Sequence, residues 1–134
     1  MNLFIDTSVW SHALRRDHPD HPAVAHLRTA LERLAAVFTT GLVLQELLQG
    51  FQGAKARDAI LDRFAALPLL VPDRDDHVAA ADLRNRCRRR GVQLGTIDAL
   101  LAQLCVRYEL TMLTTDDDFR HAGRIVPLKV WSDV

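Results

Sequence analysis

Apolar residues fall along this chain in short blocks separated by longer stretches of helical periodicity. Leu3-Phe4-Ile5, Val37-Phe38-Thr39, Leu69-Leu70-Val71, Thr111-Met112-Leu113-Thr114 and Leu128-Lys129-Val130-Trp131 are strand-type runs, the last an edge strand. Runs this short, ending in polar or turn residues, read as strands of a largely parallel sheet. Between them the spacing of three to four residues predicts helices. The first covers about residues 9–14 and the second about 22–35, with Pro22 in its first turn and Val24, Leu27, Leu31 and Leu34 on one face. A third begins at Thr40-Gly41 and is apolar on nearly every side (Leu42, Val43, Leu44, Leu47, Leu48, Phe51), which predicts deep burial. A fourth, about 54–66, turns Ile60, Leu61 and Phe64 inward, and a fifth runs to about Arg90. The sixth, opened by Gly95 with Thr96 as its N-cap, aligns Ile97, Leu100, Leu101, Leu104, Cys105 and Tyr108 on one face. This alternation predicts one α/β domain over residues 1–134, with no linker, repeat or low-complexity stretch dividing it.

Composition narrows the function classes. The 134 residues carry 17 basic and 17 acidic side chains, a formal charge of zero, so any nucleic-acid contact must rest on a local patch. The one dense patch is Arg84, Arg86, Arg88, Arg89 and Arg90, ahead of Gly91. Cations in a last helical turn are ordinary, but five arginines exceed what capping requires; the run suits either phosphate contact or a solvated helix end. Cys87 and Cys105 stand far apart, against a disulfide framework or a zinc site, and Cys105 lies on an apolar stripe. His18, His21 and His26 cluster around two prolines and read as solvated loop residues. No apolar run is long enough to cross a membrane and no signal-peptide pattern opens the chain, so a cytoplasmic protein is expected.

The candidate chemistry lies in the acids. Asp6 directly follows the first strand and Asp116 the fourth, and the carboxyl ends of parallel strands open into the ligand crevice of α/β sheets. Asp6 also suits a helix cap. Glu46 is the only charged residue between Thr39 and Ala54, and a buried carboxylate is costly unless paired with an arginine or bound to a cation. Asp98 sits in the first turn of the sixth helix. Asp73, Asp75 and Asp76, by contrast, crowd a helix start, where acids cap free N–H groups. Carboxylates about 5 Å apart repel by roughly 3 kcal/mol per pair at an effective dielectric of about 20. They protonate, or they hold a divalent cation. An all-oxygen donor set suits magnesium or manganese.

Four motifs in order, Ile5-Asp6-Thr7-Ser8, Leu44-Gln45-Glu46-Leu47-Leu48-Gln49-Gly50, Thr96-Ile97-Asp98-Ala99-Leu100 and Leu113-Thr114-Thr115-Asp116-Asp117-Asp118-Phe119, resemble those of PIN-domain ribonucleases. The chain is most similar to the VapC toxins of toxin–antitoxin pairs, over nearly its whole length. The resemblance implies a three-layer sandwich with a central, mostly parallel sheet of about four to five strands, and metal-dependent RNA cleavage. It also implies a homodimer and a small VapB-type antitoxin. Carried over by motif, Asp6, Glu46, Asp98 and Asp116 are the acidic positions, supported by Thr7, Ser8, Thr114 and Asp118. Asp117 adds a third carboxylate, so the ligand among Asp116, Asp117 and Asp118 stays open.

The mechanism expected on this basis has Asp6 and Asp98 holding Mg²⁺ or Mn²⁺, with Glu46 and Asp116 orienting metal-bound water or a second ion. A metal-activated water attacks phosphorus in line. The resemblance implies products with 5′-phosphate and 3′-hydroxyl ends. The arginine run would meet RNA phosphates and make binding salt-sensitive. Two rivals fit less well. A phosphotransfer domain of receiver type needs a second acid beside Asp6, where Leu3-Phe4-Ile5 stands, and a D-x-D phosphohydrolase needs one at Ser8. A catalytically silent module that only binds a protein partner leaves Glu46 without a purpose on an apolar helix.

Overall fold

The structure is a computed structural model that describes residues 2–15, 21–33 and 36–133. The elements run β1 (Leu3–Ile5), α1 (Thr7–Leu14), α2 (Pro22–Glu32), β2 (Val37–Thr40), α3 (Gly41–Gly50), α4 (Ala54–Phe64), β3 (Leu69–Leu70), α5 (Arg74–Arg89), α6 (Thr96–Arg107), β4 (Thr111–Leu113), α7 (Asp117–Ala122) and β5 (Lys129–Val130). The strands form one sheet in the order β3-β2-β1-β4-β5, parallel at every junction. Right-handed crossovers require the connections stepping from β1 towards β3 to cover one face. Those stepping from β3 to β4 and on to β5 must then cover the other. The helix contacts agree: α1 packs on α2 and α3, α3 on α4, and α5 on α6. The predicted sandwich of helices around a parallel sheet is what forms.

β1 is the centre of the sheet because it is apolar on both faces. Leu3, Phe4 and Ile5 are all buried, with Leu3 paired to Val37 and Thr111 on either side. Trp10 of α1 packs against Phe64 of α4, ring centroids 4.9 Å apart, so two helices of one layer share an aromatic contact. The strand order reverses between β1 and β4, since the chain leaves β1 in one direction and returns to β4 from the other. That junction is the topological switch point, where a crevice opens at the strands' carboxyl ends.

Several boundaries differ from the sequence expectation. α1 begins at Thr7, two residues early, and Val71 lies beyond β3 at 77% exposure. Leu61, Ile97 and Tyr108, expected inward, are partly exposed, while Ala99 and Ala102 are buried in their helix. Small residues let α6 lie close to its neighbours, which rotates its buried face away from Ile97. Leu42, Leu44 and Leu48 are only half-buried, so α3 is less enclosed than its composition suggests. Gly95 rather than Thr96 is the N-cap of α6; Thr96 is the first helical residue. The sequence does not mark the short helix α7, whose first turn is made of the same aspartates that mark the site. Of the three histidines expected as solvated loop residues, only His18 lies outside the described residues, as does the end of the second helix at Leu34 and Ala35. His21 is instead the N-cap of α2, its Nδ1 accepting from the Ala23 N–H at 3.1 Å, and His26 lies on α2, half-buried and stacked on Trp131.

Candidate active site

Asp6 stands at the N-cap position of α1, yet its side chain makes no cap bond. It is turned instead towards the neighbouring strand: Ser8 Oγ and Thr114 Oγ1 both donate to Asp6 Oδ2, at 2.8 and 2.9 Å. The sheet register explains why. Ile5 is level with Leu113 and Phe4 with Phe38, so one or two residues further Asp6 lies between Thr114 and Thr40. The backbone N–H of Asp6 donates to the Leu113 carbonyl at 2.9 Å, extending the ladder to the carboxylate. Burial pushes the Asp6 carboxyl above its ordinary range, opposed by the hydroxyls of Ser8 and Thr114.

These hydroxyls tie the switch point together. Ser8 Oγ accepts from the Thr115 N–H at 3.1 Å, and Thr114 Oγ1 accepts from the Asp116 N–H at 3.0 Å. Asp116 is the N-cap of α7, its Oδ1 accepting from the Asp118 N–H at 2.9 Å. Asp117 turns away, with Oδ1 3.5 Å from Arg120 Nε. On the other side of β1, Thr40 caps α3 by accepting from the Val43 N–H at 3.2 Å. That cap, carried by the Thr-Thr-Gly sequence ahead of an apolar run, sets the direction of the helix bearing Glu46. Glu46 takes a hydrogen bond from Thr7 Oγ1 at 3.1 Å, and among the described residues no ion pair includes it. The alternative of an arginine partner for Glu46 is not realised there.

Asp98 joins from the other layer. It lies in the first turn of α6, and a Cβ built on Gly95 would come 3.9 Å from its Oδ2. Its carboxyl is pushed up to about 6, first by burial and then by the negative charges of Asp6, Asp116, Glu46 and Asp118. Four of the predicted acids, from four separate elements, therefore share one field, with Asp118 beside them and Asp117 outside. Among the described residues, no three His, Cys, Asp or Glu side chains close around a common point as tightly as ion ligands do. The donors are all oxygen, however, and no ion pair among the described residues includes these acids. Such a set fits a hard divalent cation.

Other acids and the arginines sort differently. Asp73 and Asp76 form a reciprocal capping box at the start of α5, and both pair with Arg107 at the end of α6. They are structural, as expected. At the opposite ends of these two helices, Arg84 Nε donates to the Leu94 carbonyl at 2.9 Å, just ahead of Gly95. α5 and α6 are thus antiparallel, and the arginine run lies at the Asp98 end of the molecule. Arg84 is half-buried, whereas Arg86, Arg88, Arg89 and Arg90 are exposed. An apolar cavity of about 530 Å³ lies between α5, α6 and Leu42 of α3, one helical turn from Glu46.

The PIN-domain family model matches residues 3–125. The chain belongs to the PIN-domain family. This PIN domain is 31% identical over 121 residues to ribonuclease VapC23 of Mycobacterium tuberculosis, covering 86% of this chain and 92% of that one. Among solved structures, it is similar to VapBC2 of Rickettsia felis bound to a promoter DNA fragment (TM-score 0.76, 20% identity, 98% of this chain and 100% of the other). It is also similar to the sarcin–ricin-loop-cleaving toxin VapC20 of Mycobacterium tuberculosis (TM-score 0.72, 22% identity, 96% and 99% covered). The PIN domain's alternating strands and helices account for the whole four-motif order read from the sequence.

Proposed function

We propose that this PIN domain is an endoribonuclease serving as the toxin of a VapBC-type pair, and that its four acids hold Mg²⁺ or Mn²⁺. The observation that carries this reading is the gathering of carboxylates from the end of β1, α3 and the β4–α7 turn around Asp98, whose carboxyl is raised to about 6 by burial first and by their charges second. Charges of one sign gathered at a switch point are tolerated when a cation is to be shared. The similarity to a ribonuclease at 31% identity supports RNA as the substrate class.

Asp6, Glu46, Asp98 and Asp116 would hold the ion, which supplies Lewis acidity and a water of lowered pKa for attack on phosphorus. The chain's own residues position this machinery. Ser8 and Thr114 fix the Asp6 carboxylate, and Thr114 in turn fixes the backbone at Asp116. The exposed arginines of α5 lie at the same end and meet the phosphates of a bound strand.

Similarity to VapBC2 supports a small VapB-type antitoxin as protein partner. A second copy of the chain would cover the apolar groove beside Leu42, Ala80, Ala81 and Ile97, where Ala81 and Ile97 are exposed. Among the described residues no helix is long and apolar enough to cross a membrane; the likeness to a ribonuclease acting on RNA supports a cytoplasmic location.

Incubating the purified protein with total RNA, with manganese or with chelator, tests the activity. Cleavage is expected with manganese alone, and Asp98→Asn should lower it at least 100-fold (an order of magnitude taken from losses of charge-stabilising groups) while leaving the fold intact. Cleavage in chelator, or at the wild-type rate by Asp98→Asn, overturns the reading. So does the absence of any cation-dependent stabilisation, which is the result a silent binding module would give.

A further inference from the structure

We infer that Thr7 is a positioning residue for Glu46: its hydroxyl holds one oxygen of that carboxylate in place without neutralising it, so that the whole charge stays available to a cation. The inference rests on the nuclease reading and assigns one residue within it.

Thr7 and Ser8 are adjacent hydroxyl residues with divergent tasks. Ser8 serves the β1–β4 junction through Asp6 and the Thr115 N–H. Thr7, the first residue of α1, points about 100° away around the helix, as successive residues do. Its Oγ1 donates to Glu46 Oε1 at 3.1 Å across 39 residues of sequence. A threonine hydroxyl in a helix interior can bond back to the carbonyl a turn before, but Thr7 opens α1 and has no preceding helical turn. Here it reaches another helix instead, and α1 and α3 are in direct contact.

The partner chosen matters because Glu46 is half-buried and is the only charged residue of α3. A free glutamate has three side-chain torsions and would sample several rotamers. An arginine would restrain it as well, but would also supply the positive charge that a cation is needed to supply. A hydroxyl donates one bond to one oxygen and carries no net charge. It restrains the rotamer and leaves the second oxygen and the negative field in being. That field is felt at Asp98, whose carboxyl is raised in part by Glu46. Partners that orient metal ligands affect metal affinity or activity by about 10- to 100-fold.

The experiment compares wild type, Thr7→Val, Thr7→Ser, Glu46→Ala and the double variant Thr7→Val/Glu46→Ala. Three readouts are taken on each: kcat and KM on RNA, the manganese concentration giving half-maximal thermal stabilisation, and Tm in chelator. Thr7→Val is expected to lower kcat and raise the manganese midpoint by about 10-fold or more, with KM within twofold. Thr7→Ser should restore both to within about threefold of wild type, because it restores the donor. In the Glu46→Ala background, Thr7→Val should leave the manganese midpoint unchanged, the non-additivity of residues acting as one unit.

Equal losses in Thr7→Ser and Thr7→Val overturn the inference, since packing rather than the hydroxyl would then be at stake. So does a Thr7→Val variant with wild-type kcat and manganese midpoint, or one whose effect persists in full without Glu46. A wild-type protein showing neither RNA cleavage nor manganese-dependent stabilisation defeats the nuclease reading itself, a result distinguishable from all of these.

Discussion

Asp98 is the residue whose surroundings have the most direct physical consequence. Its carboxyl is raised to about 6 from an ordinary 3.8 by burial and by four like charges. A folded value above the unfolded one means that the fold favours the protonated form. The associated stability is present in full below about pH 4 and is lost as pH rises through about 6. Two units correspond to about 3 kcal/mol, reduced to roughly 2 kcal/mol by the screening of a partly solvated group. In chelator, Asp98→Asn should therefore stabilise the protein by about 2 kcal/mol at pH 8 and by nearly nothing at pH 4, read from urea unfolding. Burial raises the Asp6 carboxyl in the same direction. The identities of these acids were legible in the sequence, because each is a charge set into an apolar context. The hydroxyl bonds from Thr7 to Glu46 and from Thr114 to Asp6 were not, since they span 39 and 108 residues and depend on which strands become neighbours.

Among the elements, α5 and α6 end in the same way. The Val92 N–H donates to the Cys87 carbonyl and the Gly91 N–H to Arg88; the Leu110 N–H donates to Cys105 and the Glu109 N–H to Val106. Both are Schellman ends with a left-handed residue just past the cap, Gly91 at φ 84° and Glu109 at φ 53°. Glycine adopts that conformation freely, while a residue with a Cβ pays about 1 kcal/mol. Gly91→Ala should thus destabilise the protein by about 1 kcal/mol and Glu109→Gly stabilise it by a comparable amount, both measured as shifts in the urea midpoint. The glycine end was legible as an arginine-rich turn followed by Gly91. The glutamate end left no such mark, and α6 was accordingly expected to bury Tyr108, which instead lies under the Arg107 guanidinium, 4.7 Å from its ring centre. Strands were legible as short apolar runs, though their ends were overestimated where exposed residues such as Val71 have strand-like composition. α7 was hidden because its first turn consists of the same aspartates that mark the site.

For the molecule as a whole, the groove between α5 and α6 makes a prediction of its own. If a second copy covers it, Ala81→Asp should convert a dimer to a monomer in sedimentation while leaving the circular dichroism spectrum unchanged; a variant that stays dimeric places the interface elsewhere. The α/β class followed from the alternation of strands and helices, and the end of the sheet that carries the acids from their places just after strands; the switch point between β1 and β4 did not, because it depends on the strand order. The five strands of the sheet fall on the five apolar runs read along the chain.

The position of β1 at the middle of the sheet also governs when the acidic cluster can be completed. β1 finds one of its two neighbours, β4, only after more than 100 further residues have been added, and Thr114 reaches Asp6 across 108. During translation the early segments emerge and begin to fold first, but pairings this distant in sequence form last. A nascent or prematurely terminated chain lacking residues beyond about 110 holds Asp6, Glu46 and Asp98 without the strand that bears Asp116. On the proposed function such fragments should be inert towards RNA, so that the topology itself delays any cutting until the residues past β4 have been made.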